Sequence, residues 1–374
     1  MKRFSMMLRL AVAALLIPAL TASAQDLSRT FSVSPGGLLR LDVETGGSIA
    51  ISGWSRNEVE VKVYVSGRDG DEVIVDLEEL SNGVSISTEY ERRNSRADVD
   101  IEVSVPSVFD LDVETMGGEI KVNGVEGKLV GETMGGELQL RSLKGDIDFE
   151  TMGGEITLED SDVSGRVHTM GGEIKVNNVS GSVNATTMGG EVSYNNYRSG
   201  SGAASEVKIH TMGGEINVDR ADHGADVETM GGAITIGKAG NHVKASTMGG
   251  EIQIQEIDGW VEASTMGGEI EVHMIGNPND GDRHVELSSM GGDVLLTLPA
   301  GLSMAIEADI TVSGRHSADD YQIISDFDLS VERTASDRRN RDESHIVATG
   351  TVGSGKNRIR VKTTNGDIRI LRSR

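Results

Sequence analysis

The sequence predicts an all-β fold: a parallel β-solenoid, or β-helix-like rod, of about ten 18-residue coils with β-rich N- and C-terminal caps. Three observations carry this expectation. First, the tetrapeptide Thr-Met-Gly-Gly starts at Thr115, Thr133, Thr151, Thr169, Thr187, Thr211, Thr229, Thr247 and Thr265, with a variant at Ser289. Successive starts lie 18 residues apart, except for two intervals of 24, from Thr187 to Thr211 and from Thr265 to Ser289. Second, the apolar residues of a unit follow the strand period of two. Counting the threonine as position 1, the unit Thr247 to Ser264 has Ile252, Ile254, Ile257, Val261 and Ala263 at positions 6, 8, 11, 15 and 17. Third, 48 glycines beside five Phe, five Tyr and two Trp suit a repeated backbone with small, β-branched filling rather than a core of large side chains.

Taken in order, residues 1–24 read as a signal peptide. Met1 to Arg9 is a basic stretch, Leu10 to Leu20 an apolar run broken by Pro18, and Ala22-Ser23-Ala24 a small-residue cleavage pattern. The apolar run is shorter than the roughly 20 residues that span a bilayer. The mature chain is therefore expected to have no transmembrane segment and to be extracytoplasmic, whether periplasmic, on the cell surface or secreted. It has no cysteine and so no disulfides.

Residues 25–114 form an N-terminal β cap region. Alternating runs at Leu39 to Val43, Val59 to Val65, Val73 to Leu77, Val84 to Ser87 and Val99 to Val105 suggest hairpins that cap the first coil.

Residues 115–298 are the repeat. Two short strands per unit, with one corner at Gly-Gly and another at positions 12 to 14 (Gly127, Gly145, Gly181, Gly259), fit either an antiparallel meander or a solenoid. Stacked coils put identical residues above one another at about 4.8 Å, which gives a reason for a corner repeated nearly letter for letter; a meander gives none. The left-handed hexapeptide helix also has 18 residues per coil, but its apolar period of six is absent. Both six-residue insertions, within Arg198 to Glu206 and within Gly276 to His284, fall between positions 11 and 15, at one edge of the rod. Residues 299–374 close the solenoid with an alternating stretch, Ile359 to Ile370, after a charged segment, Ser336 to Ser344, expected to be a solvated loop.

With these units in place the chain resembles the bacterial DUF4097 family of β-strand repeat proteins, whose members carry an adhesin label. The resemblance rests on Gly47-Ser48-Ile49 with Gly53-Trp54, on Val105-Pro106, and on the repeated Thr-x-Gly-Gly-Glu-Ile units. It continues through Ser325-Asp326-Phe327, Gly353-Ser354-Gly355 and Thr364-Asn365-Gly366-Asp367-Ile368. It implies an exported β-solenoid without a defined activity. The family corner resembles Thr-x-Asn/Ser-Gly-Asp/Glu-Ile, whereas here the third residue is glycine in all ten repeats.

Net charge is −24, with 35 Lys plus Arg against 59 Asp plus Glu, which excludes a basic face for nucleic acid. Position 5 is Glu119, Glu137, Glu155, Glu173, Glu191, Glu215, Glu251 and Glu269, broken by Ala233 and closed by Asp293. Because position 6 points inward, these carboxylates form an outward ladder. It is a candidate row of metal sites, weak for Ca2+, or a surface for a basic partner; otherwise it is a solvated acidic face.

Position 2 is methionine in all ten units. It is expected to cover the Gly-Gly corner by packing on its own copies, with soft-metal binding as the alternative. The position 1 threonines are expected to form an inward or edge hydroxyl ladder. Gly350 to Lys356 has phosphate-loop spacing, but Asn357 replaces the required Ser or Thr and a strand pattern follows. The eight histidines show no ligand spacing.

The residues interrupting the repeat are the expected partner contacts: Tyr194 and Tyr197 at the first loop, Asn277 and Asp280 in the second, and the Trp260 corner between them. Asn277, Asn279, Asp280 and Asp282 could instead gather calcium. The expected function is non-catalytic, with no cofactor. The chain is expected to be a cell-envelope adhesin or scaffold binding an envelope protein or glycan. The alternatives are a polysaccharide lyase or hydrolase of the β-helix type, or a divalent-cation-binding envelope protein.

Overall fold

The computed structural model describes residues 27–92, 95–199, 206–314, 316–334 and 343–373. The signal-peptide expectation lies outside the described residues, as do most of the charged segment near 340 and residues 200–205 of the first insertion. Among the described residues the chain is all-β, one solenoid-like sheet of mixed pairing with two short 3-10 turns at Gly70–Glu72 and Ala318–Asp320. No helix there is long and apolar enough to cross a membrane.

Each unit pairs with the unit 18 residues on. Ile120–Asn123, Leu138–Arg141 and Ile156–Glu159 lie parallel in register, as do Glu126–Thr133, Lys144–Thr151 and Asp162–Thr169. Thr133 meets Thr151, which meets Thr169, so the repeat letters stack as columns. The 24-residue intervals keep the stack, since Thr187 pairs with Thr211 and Thr265 with Ser289. The core is the row of inward positions. Ile252, Ile254, Ile257, Val261 and Ala263 are all at most 1 % exposed, and the same positions are buried in the preceding coil, Ile234, Ile236, Ala239, Val243 and Ala245. Each buried Ile or Val contributes about 1.5–3 kcal/mol.

The second corner differs from expectation. It lies at position 10, where Gly124, Ser142, Asp160, Asn178 and Asn196 adopt φ between 51° and 73°. Glycine and asparagine tolerate this left-handed conformation best. Gly127, Gly145 and Gly181 lie inside the strands that follow. In two coils the pairing runs on through position 10, so that Ile234–Thr247 and Ile252–Thr265 each form a single strand of 14 residues. In the first of them the left-handed residue is Asn241 (φ 58°) at position 13, within the corner expected from the sequence.

The flanks join the stack instead of only capping it. Gly37–Val43 lies parallel to Phe109–Thr115, and Ser48–Trp54 parallel to Ile120–Asn123. The capping hairpin expectation holds for Val73–Leu80 with Gly83–Tyr90; Leu27–Ser32, Glu58–Ser66 and Asp98–Pro106 likewise pair antiparallel. At the far end Asn357–Thr364 and Ile368–Arg372 continue the parallel stack beyond Val285–Ser289 and Val294–Leu298. Met304–Ser313 adds to it in parallel on Asn357–Thr364, and Glu343–Val352 folds back antiparallel on Met304–Ser313. The phosphate-loop spacing at Gly350 falls within and just after a strand, so no helix N-terminus is present there.

Candidate functional site

The Thr-Met-Gly-Gly-Glu corner has two kinds of residue. Thr151 donates its hydroxyl to the Gly136 carbonyl one coil back (2.8 Å) and accepts from its own Gly154 N–H (3.2 Å). The same relay recurs from Thr133 to Thr265 and at Ser289. These side chains are buried. A Cβ at any position 4 glycine from Gly136 to Gly292 would overlap the carbonyl of the glycine below it. Threonine and the second glycine are therefore demanded by the fold.

Methionine and the first glycine are not. The ten position 2 methionines are exposed, from 39 % at Met170 to 60 % at Met116, and the two at the ends of the row, Met116 and Met290, are the most exposed. A Cβ at Gly117 or Gly135 would meet nothing within 4 Å, and at the other eight position 3 glycines nothing closer than 3.4 Å.

On the same corner four of the eight glutamates of the carboxylate row have a side-chain partner, with two lysines supplying the positive charge. Lys121 pairs with Glu119 (2.7 Å), Lys175 bridges Glu155 and Glu173 (2.9 Å each), and Asn217 donates to Glu191 (2.8 Å). The Lys175 ammonium, with the Thr157 hydroxyl, holds the Glu155 carboxyl below the usual range. Glu137, Glu215, Glu251 and Glu269 have no side-chain partner among the described residues. The carboxylates stand one per level, and no three His, Asp or Glu side chains converge on a metal position among the described residues.

The second insertion is a built loop. Arg283 is 3 % exposed. Its guanidinium donates to the carbonyls of Ile275 (2.8 Å), Asn277 (2.9 Å) and Asp280 (3.0 Å) and to the Asp258 carboxylate (2.6 Å). Its backbone N–H donates to Asn357 (3.2 Å). Asn277 and Asp280 are exposed and joined by a 2.8 Å hydrogen bond, which occupies one oxygen of the calcium set considered above.

Beside this loop Trp260 is half-buried between two imidazoles, with His242 at 5.0 Å and His284 at 4.9 Å, both nearly parallel to the indole. His242 reaches Glu206 (2.8 Å) across the level of Gly224, where any side chain would collide with its ring. The Glu206 carboxyl is held below its usual range by Lys208 first and His242 second, and Asp282 by His284. With its faces covered, Trp260 offers a partner its edge only. Sequence reasoning missed this column. Its signal was the position 14 residue read vertically: Glu206, Gly224, His242, Trp260, His284.

Tyr194 and Tyr197 require correction as surface anchors: both are buried, at 0 % and 1 % exposure. They occupy positions 8 and 11, which face inward in the other coils except at Ile275, where a register shift puts Met274 in the inward place. The first insertion interrupts the ladder of Ser180–Thr187, which pairs at Gly181 and resumes at Asn184. The tyrosines fill the interruption. Tyr197 donates to the Gly181 carbonyl (2.7 Å) and accepts from the Val183 N–H (3.2 Å), while Tyr194 donates to the Val183 carbonyl (2.9 Å). Burial pushes both phenols above their ordinary value.

The sequence matches the Toastrack DUF4097 family over residues 39–249. Among solved structures it is similar to a putative adhesin from Parabacteroides distasonis, at 12 % identity and TM-score 0.36 over 74 % of this chain and 98 % of that one. A putative lipid binding protein from the same species follows at 13 % identity and TM-score 0.32, over 72 % and 96 % of the two chains. A putative adhesin from Parabacteroides merdae shows 12 % identity and TM-score 0.33, over 70 % and 96 %. No curated protein matches the chain.

Proposed function

We propose that this chain, which belongs to the Toastrack DUF4097 family, is a non-catalytic, exported protein of the cell envelope, an adhesin or scaffold. On this reading it is a parallel β-solenoid of about ten 18-residue coils (115–298) between β-rich end regions (25–114 and 299–374), behind a cleaved signal peptide (1–24). Its partner is an envelope protein or glycan that docks at the edge carrying Asn277 and Asp280.

The observation that carries this is the buried Arg283, whose four side-chain contacts fix the insertion in one shape. A tolerated insertion needs no such clamp. A fixed loop spares a partner the cost of ordering it. Near-identical coils offer the same surface at each level, so an address must come from what interrupts them. Hydrolysis or elimination on a polysaccharide needs unlike acids and bases converging on one bond, whereas the outward carboxylates of position 5 here stand singly, one per coil, along the rod.

The test is binding of the labelled protein to isolated envelopes of the producing cell. Asn277→Ala with Asp280→Ala should lower apparent affinity at least about tenfold, the cost of one or two interface hydrogen bonds, with the Tm within a few degrees of wild type. Unchanged envelope binding by that folded variant moves the partner surface elsewhere on the rod.

A further inference from the structure

Exposed positions in this repeat drift unless something holds them. Position 7, outward and exposed or half-buried, is Lys121, Gln139, Thr157, Lys175, Ser193 and Asn217 in the first six units and changes again later. Position 2 is equally outward yet is methionine in all ten, and position 3 is glycine in all ten although the space around it admits a methyl group. Neither core burial nor a left-handed backbone explains these residues, because the methionines are exposed and the position 3 glycines have no positive φ. An apolar cover would be served by Leu, Ile or Val, which interchange freely at the inward positions. What methionine alone supplies is a thioether.

We propose that the methionine row, Met116 to Met290, is a binding array for a soft monovalent cation, Cu(I) or Ag(I), each ion held between thioethers of successive coils. Thioethers are soft donors that select such ions over calcium, magnesium or zinc. Taking the about 2.3 Å of a zinc–sulfur bond as the guide to a metal–sulfur distance, two opposed sulfurs stand about 4.6 Å apart, close to the strand spacing of about 4.8 Å that separates successive coils. The stack is unbroken across both insertions, so all ten thioethers lie in one row. The bare position 3 backbone leaves that row uncovered. Three residues along the same corner the carboxylate ladder supplies negative charge, with Glu137, Glu215, Glu251 and Glu269 uncommitted. Each added cation relieves repulsion among them. The site lies on a different corner from the Asn277 loop and does not depend on that loop's role.

The purified protein is titrated with silver nitrate, which needs no reductant, and bound ions are counted after gel filtration. Two thioethers per ion predict about five silver ions per chain. Replacing four successive residues (Met134→Leu, Met152→Leu, Met170→Leu, Met188→Leu) leaves Met116 without a neighbour and should remove about three of the five, with the Tm within a few degrees, since these side chains are exposed. Met274 and Met304, which are buried, should contribute nothing. His242→Ala with His284→Ala should leave the count unchanged. X-ray absorption at the metal edge of the wild-type complex should show sulfur neighbours only, a readout independent of any variant's folding. Undiminished uptake by the leucine variant, loss of ions in the histidine variant, or nitrogen and oxygen neighbours in the absorption spectrum would each overturn the proposal.

Discussion

A methyl group on Gly136 would run into the carbonyl of Gly118 one coil back, whereas on Gly135 it would meet nothing within 4 Å. Neither residue has a left-handed φ, so the contrast is purely of space. Gly136→Ala should therefore destabilise by about 3 kcal/mol or more, because the obstacle is backbone and cannot turn aside. Gly135→Ala should change stability by less than about 1 kcal/mol. Denaturant melts of the two variants check this; equal destabilisation would mean that the first glycine is structural after all. The same reasoning assigns Gly224, whose missing side chain lets His242 stack on Trp260 and reach Glu206.

The coil is the element that repeats, and its boundaries are set by pairing rather than by the letters. Removing Thr133 to Glu150 brings Thr151 onto Thr115 with every neighbouring column intact, since Thr115, Thr133 and Thr151 already share one column. The shortened rod should fold, with a Tm within a few degrees. Removing only Thr133 to Arg141 shifts the strands by an odd number and turns inward side chains outward. That variant should lose its cooperative melt by circular dichroism. If both deletions melt alike, the 18-residue unit is not the element of stability.

Over the whole molecule the formal charge is −24, and a large part of it stands in columns. Two carboxylates one strand apart repel by about 0.9 kcal/mol in bulk water, and only some levels have a lysine nearby. Screening at about 0.5 M salt shortens the Debye length below the spacing between levels. Raising sodium chloride from about 10 mM to about 0.5 M should increase the Tm by several degrees. A falling Tm would show that attractive pairs such as Lys175 with Glu155 and Glu173 outweigh the repulsion.

The 18-residue period, the inward positions 6, 8, 11, 15 and 17 and the outward carboxylate row were legible in the sequence, because alternation and repetition are local and each unit restates them. The position 10 corner was legible too, in the letters Gly, Ser, Asp, Asn and Asn, but the glycines three residues later gave a louder signal. Tyr194 and Tyr197 were misplaced because aromatic character was weighed above the inward register of their positions. What only the tertiary structure decided is what meets what between coils: Arg283 on Asp258, His242 on Trp260 and Glu206, and the tyrosine hydroxyls on the interrupted strand. Those partners are 11 to 36 residues apart in the chain. The insertions remove the fixed offset that would otherwise name a neighbour, so side-chain contact there follows from stacking and not from any local pattern.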